Sequence, residues 1–151
     1  MILDERTEFC DATALNTGAA GTYLIGDVMD LGAGRDFNDI EDLYLVIGVD
    51  TAVTSGGSAT VQFHLASDAQ AAIATDGSAT YHWSSPAIPK ATLVAGYYVC
   101  KLPIPKGGAP EFERYLGILQ TTGTAALTAG KVNAFLTDNP NTYRSFPDGV
   151  L

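Results

Sequence analysis

Between residues 114 and 121 the chain alternates side by side: Arg114, Leu116, Ile118 and Gln120 fall on one face, Tyr115, Gly117, Leu119 and Thr121 on the other. A period of two is what a pleated strand imposes. Residues 123–130 are small and predict a loop closing a hairpin, after which Val132, Ala134 and Leu136 resume the alternation. The same pattern recurs over residues 59–66, where Val61, Phe63 and Leu65 oppose Thr60, Gln62 and His64. Residues 43–49 are an almost unbroken apolar run of strand length, the mark of a central strand buried on both faces. Further strands are predicted at residues 7–15, with Phe9 and Leu15 on one face, and at 22–28, 80–84 and 97–102.

Breakers separate these runs. Gly18-Ala-Ala-Gly21, Thr54-Ser-Gly-Gly-Ser58 and the proline-rich stretch 103–110 read as turns and loops. Residues 27–42 carry glycines and acids and predict an acidic loop. Pro86 and Pro89 keep their neighbourhood at a sheet edge or outside it. Residues 68–74 are rich in alanine and are expected to form one or two helical turns. No helical period persists further. About eight short antiparallel strands therefore predict an all-β, jelly-roll-like sandwich or barrel. An immunoglobulin-like sandwich is the alternative, although the chain lacks paired cysteines around a tryptophan.

With 151 residues, the chain is long enough for one domain, residues 1–151, without disulfide or metal support. No apolar stretch approaches the roughly 20 residues that span a bilayer, and no basic start precedes an apolar run. A protein made in a cytoplasm is expected. Cys10 and Cys100 form no metal spacing and read as buried apolar residues, with a bridge between them as the minor alternative.

Charge is concentrated at one end. Residues 1–50 hold eleven acids and two bases, a balance of 2 − 11 = −9, whereas residues 51–151 hold six of each. Phosphates would be repelled, and no basic stripe exists to release counterions, so nucleic acid is excluded as a partner. The acids read either as a solvated face or as a patch steered onto a basic partner.

Candidate chemistry is sparse. His64 or His82 with Asp68 or Ser84 would supply the raw materials of a nucleophilic triad, but no Gly-x-Ser-x-Gly elbow is present. The loop acids Asp27, Asp30, Asp36, Asp39, Glu41 and Asp42, with Asn38, offer oxygen ligands without calcium-loop spacing. Tyr81, Trp83, Tyr97 and Tyr98 could line a sugar-stacking platform, with Tyr81 and Trp83 predicted on one face and at least half of the four in the core. No catalytic residue, metal or cofactor is predicted.

Several stretches resemble, in order, the capsid cement (decoration) proteins of short-tailed phages. They are Met1-Ile-Leu-Asp4, Phe9-Cys-Asp-Ala12, Val28-Met-Asp-Leu-Gly32, residues 43–49, Thr54-Ser-Gly-Gly-Ser-Ala-Thr-Val-Gln-Phe63, residues 93–97, Arg114-Tyr-Leu116 and Thr128-Ala-Gly-Lys-Val-Asn-Ala134. The resemblance implies a jelly-roll-like fold without catalysis. It also implies a homo-oligomer, a dimer rather than a trimer, seated on the exterior of a virion against the major capsid protein. Residues 35–42 and 143–151 match that pattern least. For the capsid contact the residues themselves suggest Asp4, Glu5, Arg6 and Phe9 of the N-terminal segment 1–12, with Arg35, Asp36 and Asp39 of the acidic loop. A carbohydrate-binding β-sandwich module of a fibre or secreted enzyme is the alternative.

Overall fold

The computed structural model describes residues 4–34, 42–105 and 110–142. Nine strands are present among them: β1 (Glu8–Ala14), β2 (Gly21–Asp30), β3 (Tyr44–Thr54), β4 (Thr60–Asp68), β5 (Thr80–Ser84), β6 (Ile88–Pro89), β7 (Tyr98–Pro103), β8 (Tyr115–Gly123) and β9 (Ala129–Thr137). They form two antiparallel sheets. The first runs β1-β9-β3-β7, and the second runs β2-β8-β4-β5, with β6 sharing the β4 edge beyond β5. β5 and β6 thus occupy one strand position, broken by Ser85, Pro86 and Ala87 where proline cannot donate to the ladder.

The pairings nest: β1 with β9, β2 with β8, β3 with β7, and β4 with β5 and β6. A ribbon folded back on itself at the β4–β5 loop and then rolled gives this order, with the β3–β9 and β4–β8 pairs as the seams that complete each sheet. This is the jelly roll, and the immunoglobulin-like alternative falls away.

Rolling overturns one expectation. Residues 115–137 do not form a hairpin, because β8 lies in the second sheet and β9 in the first, so 124–128 crosses between them. Strand alternation reports that two strands exist but not which partners they take. Residues 68–74 likewise form no helix. They sit at the fold-back of the ribbon, where Asp68 accepts from the amides of Gln70 (3.1 Å) and Ala74 (2.9 Å).

The sheets enclose one core. Leu45, Ile47, Val132, Ala134 and Leu136 from the first face Val61, Phe63, Leu65, Leu116 and Ile118 from the second, all buried. Cys10, Ala134, Ile47 and Cys100 are successive partners across the first sheet, so the cysteines sit at its opposite edges. Three strand spacings separate them by about 14 Å, too far for a bridge, and both thiols are free. A smaller cluster lies outside the second sheet, where Ile73 and Ala79 of the β4–β5 loop cover Ala66 and Leu119.

One glycine is indispensable to closure of the roll. Gly26 in β2 has φ of 68°, and a Cβ there would lie 2.0 Å from the Phe9 carbonyl oxygen and 2.6 Å from the Cys10 sulfur. The edges of the two sheets meet at this point.

Candidate interaction surface

The chain enters β1 through a single 3-10 turn, Glu5–Thr7, capped by Asp4. The Asp4 carboxylate accepts from the Arg6 amide at 3.0 Å, and its carbonyl accepts from the Thr7 amide at 2.8 Å. This cap holds Glu5 beside the meeting edges of β1 and β2, where two adjoining clefts share Glu5, Glu8 and Asp27. The larger, about 330 Å³, is completed by Phe9, Cys10 and Asp11. The other is completed by Arg6, Val28, Met29 and Asp30. Five carboxylates and one guanidinium therefore line a continuous groove.

Its electrostatics are unbalanced. Glu8 has its pKa raised, first by partial burial and then by the neighbouring charges of Asp11, Glu5 and Asp27. Asp30 is the exception, held down at about 2 by hydrogen bonds from Arg114 and from the Gly32 amide. The Arg114 guanidinium grips it through Nε and Nη2, both at 2.9 Å. Among the described residues, no three His, Cys, Asp or Glu side chains converge closely enough to hold a metal ion. The described groove is therefore acidic, with Arg6 as the one base in its lining.

Of the residues singled out from sequence, Asp4, Glu5 and Arg6 are exposed, and Glu5 and Arg6 line the groove. Phe9 requires correction as a contact residue. It is only 1% exposed and packs in the core, because an irregularity in the β1–β9 register turns both Phe9 and Cys10 inward. Arg35, Asp36 and Asp39 lie outside the described residues, as do Asn38 and Glu41 of the loop. The sequence reading missed Glu8 and Asp11, which were legible as acids on the first strand but acquire meaning only when β2 brings Asp27 and Asp30 against them.

Neither histidine is poised for nucleophilic chemistry. His64 is 5% exposed and hydrogen-bonded through both ring nitrogens, with Nδ1 2.6 Å from Ser84 Oγ and Nε2 3.0 Å from Thr121 Oγ1. A hydroxyl occupies the place where a triad would put its orienting carboxylate. His82 Nε2 meets Ser67 Oγ at 2.7 Å, but Ser67 is fully buried and also accepts from the Glu113 amide. Burial lowers the pKa of both imidazoles.

The aromatic platform is also dispersed. Leu65 pairs with Trp83 and Ala66 with Tyr81, so His82 is an extra residue that breaks the alternation. Trp83 packs against the core, whereas Tyr81 is 37% exposed and stacks on His64 at 4.6 Å. Tyr81 and Trp83 thus lie on opposite faces, not on one as predicted. Tyr97 packs against the core as well, and the Lys101 ammonium covers the Tyr98 ring at 3.7 Å. The cysteine thiols are pushed up to about 12 by burial, which leaves them protonated and unreactive at neutral pH.

No curated protein matches this chain. The Bbp16 family model matches residues 9–136, from the second residue of β1 to the penultimate residue of β9, and so covers the whole rolled ribbon. On that match the chain belongs to the Bbp16 family, which is phage-associated.

Proposed function

We propose that this chain is a structural protein of a phage virion, a cement or decoration protein that binds the outer surface of the major capsid protein lattice and stabilises the shell. The observation that carries the reading is the family match across a rolled sandwich whose distinctive surface is an acidic groove. Such a groove suits a basic protein surface, since complementary fields steer encounter and fix register. The groove acids repel one another in the free protein, and a partner's lysines or arginines would relieve that repulsion on docking. The chain acts without catalysis, cofactor or metal, and works as a homo-oligomer, a dimer in preference to a trimer, on the virion exterior. Many weak contacts on a repeating lattice then stabilise the assembled shell by mass action.

The test mixes purified protein with shells of the cognate major capsid protein made without it. Co-sedimentation that weakens as salt rises is expected, together with shells that resist heat longer than bare ones. Glu5→Lys with Asp27→Lys should abolish the salt dependence and weaken binding at least tenfold. Absence of co-sedimentation would refute the proposal. Binding to a glycan array that is lost in Tyr81→Ala would favour the carbohydrate module instead.

A further inference from the structure

The chain enters β8 through Phe112, Glu113 and Arg114, which together strap three strands of the second sheet. The Phe112 ring, 3% exposed, packs on the His82 imidazole of β5 with centroids 4.1 Å apart. The Glu113 amide donates to Ser67 Oγ of β4 at 3.1 Å, and its carboxylate accepts from the Thr80 hydroxyl of β5 at 2.7 Å. The Arg114 carbonyl accepts from the Leu31 amide, just past β2, at 2.8 Å, while its guanidinium grips Asp30. Asp30 is one of the groove carboxylates, so this short strap joins the β4–β5 side of the sheet to the groove wall.

One hydroxyl at the middle of the strap serves two contacts. Ser67 is fully buried, and its Oγ lies 2.7 Å from His82 Nε2 while accepting from the Glu113 amide. A serine hydroxyl carries a single proton, and among the described residues no acceptor other than Nε2 is placed to take it. The network therefore makes Ser67 the donor and His82 a neutral imidazole with its proton on Nδ1.

Protonation would reverse that contact. Nε2 of an imidazolium can only donate. Ser67 Oγ would then face two donors, the imidazolium and the Glu113 amide, with its own proton stranded in the interior, and a buried donor left unsatisfied is costly. Relief comes from parting Glu113 from Ser67 or from swinging the imidazole off Phe112, and either movement loosens the strap. Of the groups around the ring, β4 presents the uncharged Ser67, and the strap presents the Phe112 ring and the Glu113 carboxylate. Glu113 favours the imidazolium, but burial opposes it more strongly.

His64 offers no comparable device. Its nitrogens meet Ser84 Oγ, on an exposed residue, and Thr121 Oγ1, which can pass its own proton to Thr22 Oγ1 at 2.9 Å. An imidazolium there keeps both bonds.

We propose that the Ser67–His82 contact is a pH-sensitive latch: neutral His82 holds the Phe112–Arg114 strap closed, and its protonation in mild acid releases the strap and with it the Asp30 wall of the groove. The latch belongs to the fold and stands whether or not the chain decorates a shell. Because the closed strap disfavours the proton, it is favoured above the ordinary histidine value of 6.5 and lost below it.

The test follows amide hydrogen exchange by NMR in the full chain from about pH 7.5 to about pH 5, expressed as protection relative to the intrinsic rate at each pH. Protection of the Glu113 and Leu31 amides is expected to fall about tenfold or more beyond any fall in β3, which is paired on both sides. In His82→Gln, whose side-chain oxygen can take the Ser67 proton at every pH, that extra fall should vanish, and in His64→Gln it should persist. Nitrogen chemical shifts of the His82 ring supply a readout that needs no variant: at neutral pH they should show a proton on Nδ1 alone. A proton on Nε2 would overturn the latch. So would Glu113 protection that stays level, that falls only in step with β3, or that falls equally in His82→Gln.

Discussion

The residues that decide this structure are those whose backbone or side chain has no alternative. Gly26 combines a left-handed backbone with a carbonyl 2.0 Å from where a methyl would sit, and neither can relax without parting β1 from β2. Gly26→Ala is expected to cost about 3 kcal/mol or more, read as a lower urea midpoint with an unchanged slope. Its importance was not legible in the sequence, where it stands inside a strand like any other glycine; only the approach of Phe9 gives it a role. His64 and His82 make a second case. Their pKa values are lowered from 6.5 by burial, so above that value both native and unfolded chains hold them neutral and pH has no leverage. Below it the unfolded chain takes up protons that the native state refuses, and stability falls. Urea midpoints should fall as pH drops below about 6.5, and His64→Gln, which keeps polar atoms for Ser84 and Thr121, should flatten the drop.

At the scale of elements, alternation revealed the strands and rolling hid their partners. Predicted strands at 80–84 and 59–66 coincide with β5 and β4 to within two residues, because one face of each contacts the core. The hairpin expected of residues 115–137 failed because a jelly roll sends consecutive strands to opposite sheets, a long-range choice that no local window contains. The β5 bulge at His82 failed for a related reason: Tyr81 and Trp83 keep a spacing of two, but an inserted residue between them reverses the face. The β4–β5 loop was misread as helical from its alanines. Its apolar residues instead serve as a cover for the outer face of the second sheet, with Ile73 3% exposed and wedged against Gly117. Ile73→Ala should cost about 2–4 kcal/mol, and hydrogen exchange should rise in residues 69–79 more than in β8.

For the whole molecule, the uneven charge noticed in the sequence becomes a position in space. Residues 1–50 carry the entire net charge of −9, and folding gathers Glu5, Glu8, Asp11, Asp27 and Asp30 along one groove. That the acids formed a surface was legible from their number; which acids, and that the first strand supplies two of them, required the meeting of two sheet edges. Raising salt from about 50 mM to about 500 mM should stabilise the isolated chain by screening this repulsion. Glu8→Gln should reproduce part of the effect, about 0.5 kcal/mol or less given solvent screening, and weaken docking on shells. A gain in stability with a loss of binding is what distinguishes an interface acid from a solubilising one.

The two buried thiols carry a practical corollary. Because Cys10 and Cys100 remain protonated to about pH 12 and face the interior from opposite edges of one sheet, ordinary maleimide reagents will pass them by. A single cysteine introduced at an exposed loop position would then be the sole addressable handle, and dyes or cargo could be attached to the protein without first stripping its native sulfur.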